Sequence, residues 1–444
     1  MAGVSCIRAS GSLASTMLTF WKNLSVGSGL SAIWGIEALH MSGFILEEVR
    51  HHLGSGWDMG TTGAMGLNEY QLRAVETDRF AGKGLTLPTL GLVGEIGSLL
   101  SEVKKKQRDT AAYVNYESAV LEEFGDTLWY LATVARIADV PLASLFEEAR
   151  VGSQAGDDVT FSALQPQHVL KLNTPVAQFE RTLLSLAAAG GTLAGGIVGR
   201  SYDSDRQSIA AQLRKIFDLL ILASNEASVT LESAARISLE KAADRWPRER
   251  KYPALLDDAF PEEERLPRSL SIEIYEREAA NGKRYVLQRC NDLFIGDRLT
   301  DNIMLADDYR FHDVFHYAYA AVLGWSPVTR ALLRRKRKSE ARIDEGQDGA
   351  RAVLIEEGVA TYVFGVAKDF DFFDGQKPGD LSLTFLKNVR QFVRGYEVDR
   401  SPLWLWEEAI LQGNQAFRFL RMHRRGTLKV DLVKRSMTIE GVSA

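Results

Sequence analysis

Cysteine is nearly missing from this chain of 444 residues: Cys6 and Cys290 are far apart and in no metal-ligand spacing. That excludes a disulfide framework and fits a reducing compartment. Long apolar runs are missing too, because no uninterrupted stretch approaches the ~18 residues of a membrane span. Charge of one sign is not in excess. Lys and Arg number 53 against 58 Asp and Glu, a formal net charge of -5, so no whole-chain field draws the protein onto nucleic acid or anionic lipid. Phosphate loops of the G-x-x-x-x-G-K-[ST] type, dinucleotide fingerprints and G-x-S-x-G elbows are absent, which disfavours the enzyme classes built on them. A cytoplasmic protein with neither membrane nor nucleic-acid partner is expected.

What is present is ordinary globular composition, 45% hydrophobic and 25% charged, at a length that allows two to three domains. Before Glu37 the chain has no acidic residue, is rich in Ser and Gly, and carries Arg8 and Lys22 as its cations. A targeting segment is one reading. A poorly ordered extension over residues 1–64 is the preferred one, since Met41, Met59 and Met65 follow.

From residue 65 to 150 apolar residues recur at helical spacing, through Leu92, Ile96, Leu99 and Val103 and again through Leu121, Phe124, Leu128 and Leu131. Residues 151–175 carry Gly, Asp and Pro without a sustained period and read as a linker. Beyond it the apolar frame repeats. At an offset of 89 residues Phe124 falls on Leu213, Leu128 on Phe217 and Leu131 on Leu220; at 94, Gly97 falls on Gly191 and Leu99 on Leu193. The acids do not repeat: Glu95 falls on Ala189, Glu123 on Gln212 and Asp126 on Lys215. Residues 176–260 thus read as a degenerate copy, its packing kept and its carboxylates lost, although any two amphipathic helices align loosely.

In the third domain, residues 261–428, alternating runs flank AANGK, an Asn-Gly turn that predicts a β-hairpin. Helices are expected around 306–323, 327–342, 349–368, 380–396 and 403–423, and residues 429–444 as a tail. The fold class is therefore mainly α, a tandem helical bundle plus an α-rich C-terminal domain with a small β-hairpin.

Two constellations carry candidate chemistry. Glu95, Ser98 and Glu102 share one helical face, and Glu122, Glu123 and Asp126 lie within one turn of another helix. Clustered carboxylates raise one another's pKa unless a cation lies between them, and Mg²⁺ prefers oxygen ligands. Gly94 and Gly97 leave room beside Glu95. A solvated acidic face is the alternative. In the third domain, His312 and His316 are four apart with Asp313 between them, and Glu356 and Glu357 occupy another helix, which suits a transition metal. The aromatic neighbours Phe311, Phe315, Tyr317 and Tyr319 also fit a buried helix whose histidines satisfy local hydrogen bonds. The run of five cations from Arg334 to Lys338 reads as a phosphate contact or a solvated helix end.

GLVGEIGSLLSEVKK followed by LEEFGDTLWYLA resembles the MazG-type all-α nucleotide pyrophosphohydrolases, whose signature is an E-x-x-E helix and a later E-x-x-D helix. ISLEKAADRWP is similar to the N-x-x-K-x-x-x-R-W segment that closes such domains. The resemblance implies hydrolysis of a nucleoside or deoxynucleoside triphosphate to monophosphate and pyrophosphate. It implies Mg²⁺, with Mn²⁺ as an alternative, held by Glu95, Glu123 and Asp126 with Glu102 or Glu122 assisting. Lys104, Lys105 and Arg108 are candidates to bind the phosphates. Family members build each site between bundles of a dimer, so the degenerate repeat would serve as a built-in partner, a pseudo-dimer in which Lys241 and Arg245 complete the first repeat's pocket. A homo-oligomer is a further expectation. The sequence departs from the pattern at Ser98, where the family carries its second glutamate. Two rivals follow: a nucleotide-sensing regulatory protein without turnover, or catalysis at His312, His316 and Glu356.

Overall fold

The computed structural model describes residues 63–77, 82, 84–150, 158–166, 177–202 and 205–441. The expected extension over 1–64 lies almost wholly outside them. The described chain is mainly α with one antiparallel sheet.

The helical bundle is built from α1 (Leu67–Val75), α2 (Thr86–Asp109), α3 (Tyr116–Ile137), a 3-10 segment (Leu142–Arg150), α4 (Phe161–Leu164), α5 (Ala177–Val198), α6 (Arg206–Glu226) and α7 (Leu231–Arg245). Leu92, Ile96, Leu99 and Val103 of α2 and Phe124, Leu128 and Leu131 of α3 bury one stripe each against the matching stripes of α5 and α6. Helix α5 has the length and hydropathy of a membrane span, but it packs against α2 and α6 with Phe179, Leu183, Leu186 and Leu193 inside the bundle core.

The two halves repeat their backbone hydrogen bonds as well as their apolar frame. Leu67 N–H donates to Val159 (2.8 Å) and Phe161 N–H to Met65 (3.1 Å), each the other's counterpart 94 residues on. The C-terminus of α3 closes by Val140 N–H to Ala135 (2.8 Å), and that of α6 by Val229 N–H to Ser224 (2.8 Å). Asp139 and Ser228 hold left-handed φ of 57° and 60° at the matching positions. Gln71 bridges Val140 and Leu142, and Gln165 bridges Val229 and Leu231 in the same way.

That pairing corrects the linker expected over 151–175. Residues 158–166 belong to the bundle, with Val159 and Phe161 buried. Their element is too short to show a period, so nothing but the pairing with Met65–Leu67 reveals it.

The C-terminal domain wraps a five-stranded antiparallel sheet of order β3-β2-β1-β4-β5 around a second core. The Asn-Gly hairpin joins β1 (Ser269–Glu278) to β2 (Arg284–Cys290), with Gly282 at φ 76°. β3 (Leu293–Leu299) extends one edge, and β4 (Arg425–Asp431) and β5 (Ser436–Glu440) extend the other. The expected tail is thus a second hairpin: Leu428 pairs with Ile272, and Leu428, Val430 and Met437 are buried by period-2 alternation. The helices are α8 (Asp313–Leu323), α9 (Pro327–Leu332), α10 (Ala341–Gly346), α11 (Ala350–Lys368), α12 (Leu383–Phe392) and α13 (Leu403–His423). The single helix expected over 327–342 is divided. Arg337, in the connection, turns inward onto Asp348 (2.7 Å) and Glu397 (2.6 Å), so the cation run is not wholly solvated.

Candidate functional site

On the α2 and α3 surfaces of the first repeat, carboxylate oxygens of Glu95, Glu123 and Asp126 come within 4.8 Å of one another. Helical spacing puts Glu123 and Asp126 on one face of α3, and packing of α2 on α3 brings Glu95 to them. A Cβ added at Gly94 or Gly97 would meet nothing within 4 Å, so the α2 surface beside Glu95 stays open.

The cluster is electrostatically tense. Burial first, then the charges of Glu95 and Asp126, push the Glu123 carboxyl up to about 8. Burial and Asp126 raise Glu95 as well, offset in part by hydrogen bonds from Glu123 and Ser98. Glu123 therefore keeps a proton and donates it to Glu95, while its Oε2 is buried without any hydrogen-bond partner. Burial also raises Asp126, more than Lys241 lowers it.

Lys241 of α7, from the second repeat, reaches across and pairs with Asp126 and, at 2.7 Å, with Glu122. Burial opposes its charge, but Asp126 and Glu122 outweigh that and hold the ammonium protonated. Lys387 of α12 reaches in from the C-terminal domain and pairs with Glu122. Against the burial penalty, Lys241 and Lys387 keep Glu122 below the usual carboxylate range. Lys387 had no signal in the sequence: it sits far along the chain in an unremarkable helix.

Other expected residues lie elsewhere. Glu102 is buried two turns beyond Glu95, bonded to Tyr113 and to Lys105 (2.6 Å), outside the carboxylate cluster. Arg108 is exposed and paired with Asp109 (2.7 Å), and Lys104 is exposed. Arg245 does not complete the pocket: it is buried, and its guanidinium donates to Glu407 (2.8 Å) and to the Leu381 carbonyl (2.7 Å). A single helical turn beyond Lys241 carries it from the bundle's cleft to the C-terminal domain.

The positions equivalent to Glu95, Ser98 and Asp126 are Ala189, Thr192 and Lys215, and they line an open groove of about 710 Å³ that also includes Arg214. There Gln212, the counterpart of Glu123, donates to the Ala189 carbonyl (2.7 Å). The second repeat thus keeps the cleft without its three carboxylates: Ala189, Gln212 and Lys215 stand in their places, and Arg214 is paired with Asp218 (2.9 Å) at the groove's wall.

The donor set at Glu95, Glu123 and Asp126 is all oxygen, with one carboxylate oxygen buried and unpartnered, and such a set suits a hard divalent cation. In the C-terminal domain, His312, Asp313 and His316 form a second group whose ligand atoms lie within 4.8 Å of one another. Glu356, expected to join them as a ligand, instead accepts hydrogen bonds from Ser326 Oγ (2.6 Å) and the Val328 N–H (2.8 Å) and pairs with His316 Nδ1 (2.9 Å).

Comparison with known proteins finds that residues 251–443 match the family described as the MazG C-terminal domain. The chain is also similar to the "Gene 37 protein" of Mycobacterium phage L5, 34% identical over 90 residues, which cover 18% of this chain and 79% of the phage protein. No solved structure matches significantly.

Proposed function

The chain belongs to the MazG-related proteins through its C-terminal domain, and from that premise we propose that it hydrolyses nucleoside or deoxynucleoside triphosphates to monophosphate and pyrophosphate with Mg²⁺. The observation that carries this reading is the juxtaposition of Glu95, Glu123 and Asp126 with Lys241 of the opposite repeat. Glu95, Glu123 and Asp126 would hold the ion, which when bound supplies the positive charge that neutralises the triphosphate and orients a water. In the reaction, the water oxygen forms a bond to the α-phosphorus and the bond from that phosphorus to the α–β bridging oxygen breaks. Lys241 and Lys387 are the ammonium groups placed to meet phosphate oxygens, and Glu122 orients both. Each would exchange carboxylate contacts for phosphate ones as substrate enters.

The test is pyrophosphate release from a panel of canonical and modified nucleotides, with Mg²⁺ and with Mn²⁺. Parent protein should turn over at least one of them, and Asp126→Asn should fall to background. Silence of the parent across the panel would sink the reading. Ser98 and the loss of the three carboxylates from the second repeat's groove favour a second reading, nucleotide binding without turnover. Binding that persists in Glu123→Ala while the parent hydrolyses nothing would support it.

A further inference from the structure

The C-terminal domain holds a polar cluster that the proposed hydrolysis does not use. His312 immediately precedes α8 and His316 follows one turn later, facing Glu356 and Glu357 of α11. His312 Nε2 lies 3.2 Å from Asp313 Oδ1 and 3.6 Å from Glu357 Oε2, and His316 Nε2 lies 3.5 Å from the same Glu357 oxygen. Ligands 2.0–2.1 Å from a tetrahedral ion are separated by about 3.3–3.4 Å, the range these distances bracket.

The other ring nitrogens are already committed. His312 Nδ1 lies 2.9 Å from the Tyr309 carbonyl, which accepts only, so Nδ1 carries the proton. In a neutral ring Nε2 then presents its lone pair. His316 Nδ1 lies 2.9 Å from Glu356, a buried carboxylate fixed by Ser326 and Val328. His316 is fully buried, and its Nε2 makes no hydrogen bond. With both rings neutral, two lone-pair nitrogens face carboxylate oxygens, acceptor against acceptor, an arrangement a metal cation relieves; in the ion-free protein a ring proton does so instead, since against the burial that opposes it Glu356 and Glu357 push the His316 imidazole up to about 10. Partners that fix one imidazole nitrogen and aim the other are the usual support of a metal-binding histidine. Further out, Asp313 accepts from Gln288, which in turn accepts from Tyr317 Oη (2.6 Å). The Glu357 side chain, 38% exposed, gives an ion a path to solvent.

We propose that His312, His316 and Glu357, with Asp313 beside them, form a site for a divalent transition-metal ion, with Glu356 and the Tyr309 carbonyl positioning the two imidazoles. Imidazole nitrogen selects a transition ion such as Zn²⁺, Fe²⁺ or Co²⁺ over Mg²⁺. This site is separate from the acidic cluster and stands whether or not nucleotides are hydrolysed.

The test uses the full chain, stripped with chelator and titrated with Co²⁺ in millimolar Mg²⁺, reading the visible absorption of the bound ion. One equivalent of Co²⁺ should give a visible band that persists in Asp126→Asn. Glu357→Gln and His312→Ala should weaken binding at least tenfold, and Zn²⁺ should displace the band. Glu357→Gln alters a partly exposed residue, so it carries the test if the histidine variant fails to fold. A parent without the band, or a band that both variants leave unchanged, would overturn the proposal and leave two imidazolium groups paired with carboxylates.

Discussion

Glu123 carries an electrostatic consequence that reaches the stability of the fold. Folded, it holds its proton up to about 8; unfolded, it releases it near the ordinary carboxyl value. Between those pH values the folded state binds more protons, so stability declines as pH rises through this window. Thermal melts of chelator-treated protein should therefore show a falling midpoint from pH 5 to pH 8.5. Glu123→Gln, which stays neutral, should flatten that fall, and Mg²⁺ should lift the parent midpoint most at the alkaline end. Identical pH profiles for parent and variant would refute the assignment. Lys241→Met should steepen the parent's decline, since Asp126 and Glu122 then lose the ammonium they share. At this scale Glu95, Glu123 and Asp126 were legible because helical spacing fixes a shared face. The place of Arg245 was not, because its partner Glu407 lies 162 residues further along the chain and only tertiary packing decides which way the guanidinium turns.

Among the elements, the duplicated bundle was readable because packing positions repeat at two offsets, 94 and then 89 residues, and the structure gives the same two in hydrogen bonds, 94 between Leu67 and Phe161 and between Gln71 and Gln165, and 89 between Val140 and Val229. Strands β4 and β5 were not readable as such. Their alternation is short, and what makes them strands is the open edge of β1, supplied from a distant part of the sequence. Helices α3 and α7 meet closely at Gly125, where an added Cβ would lie 2.6 Å from the Ala234 carbonyl. That oxygen belongs to backbone and cannot swing aside, so the helices must separate. Gly125→Ala should cost about 1–3 kcal/mol in denaturant unfolding, the usual penalty of overpacking. Because α7 carries Lys241 to Asp126, the same change should reduce any nucleotide turnover without touching a carboxylate. A variant of parental stability would show that the two helices meet less tightly.

Across the whole molecule, bundle and C-terminal domain are joined by ion pairs along α7: Asp244 to Arg390 (2.7 Å) and, fully buried, Arg245 to Glu407. Glu407 also accepts the N–H groups of Gly379 (2.7 Å) and Leu381 (2.8 Å), so its fully buried carboxylate has four donors around it. Removing one member of a buried pair leaves the other charge uncompensated, at a cost of about 3–5 kcal/mol. Glu407→Ala should therefore destabilise strongly, and the loss should fall first on the junction. Scanning calorimetry should show one transition in the parent and two in the variant, the bundle and the sheet domain unfolding separately. Replacing both partners, Arg245→Met with Glu407→Leu, removes the stranded charge but also the carboxylate that accepts the Leu381 N–H. Partial recovery is the expected result. Full recovery would mean the Leu381 N–H finds another acceptor, and no loss in Glu407→Ala would mean the junction rests on the exposed contacts, Lys387 with Glu122 foremost. That last outcome would tie the two domains together at the candidate active site itself, so that phosphate drawing Lys387 away from Glu122 would loosen the junction.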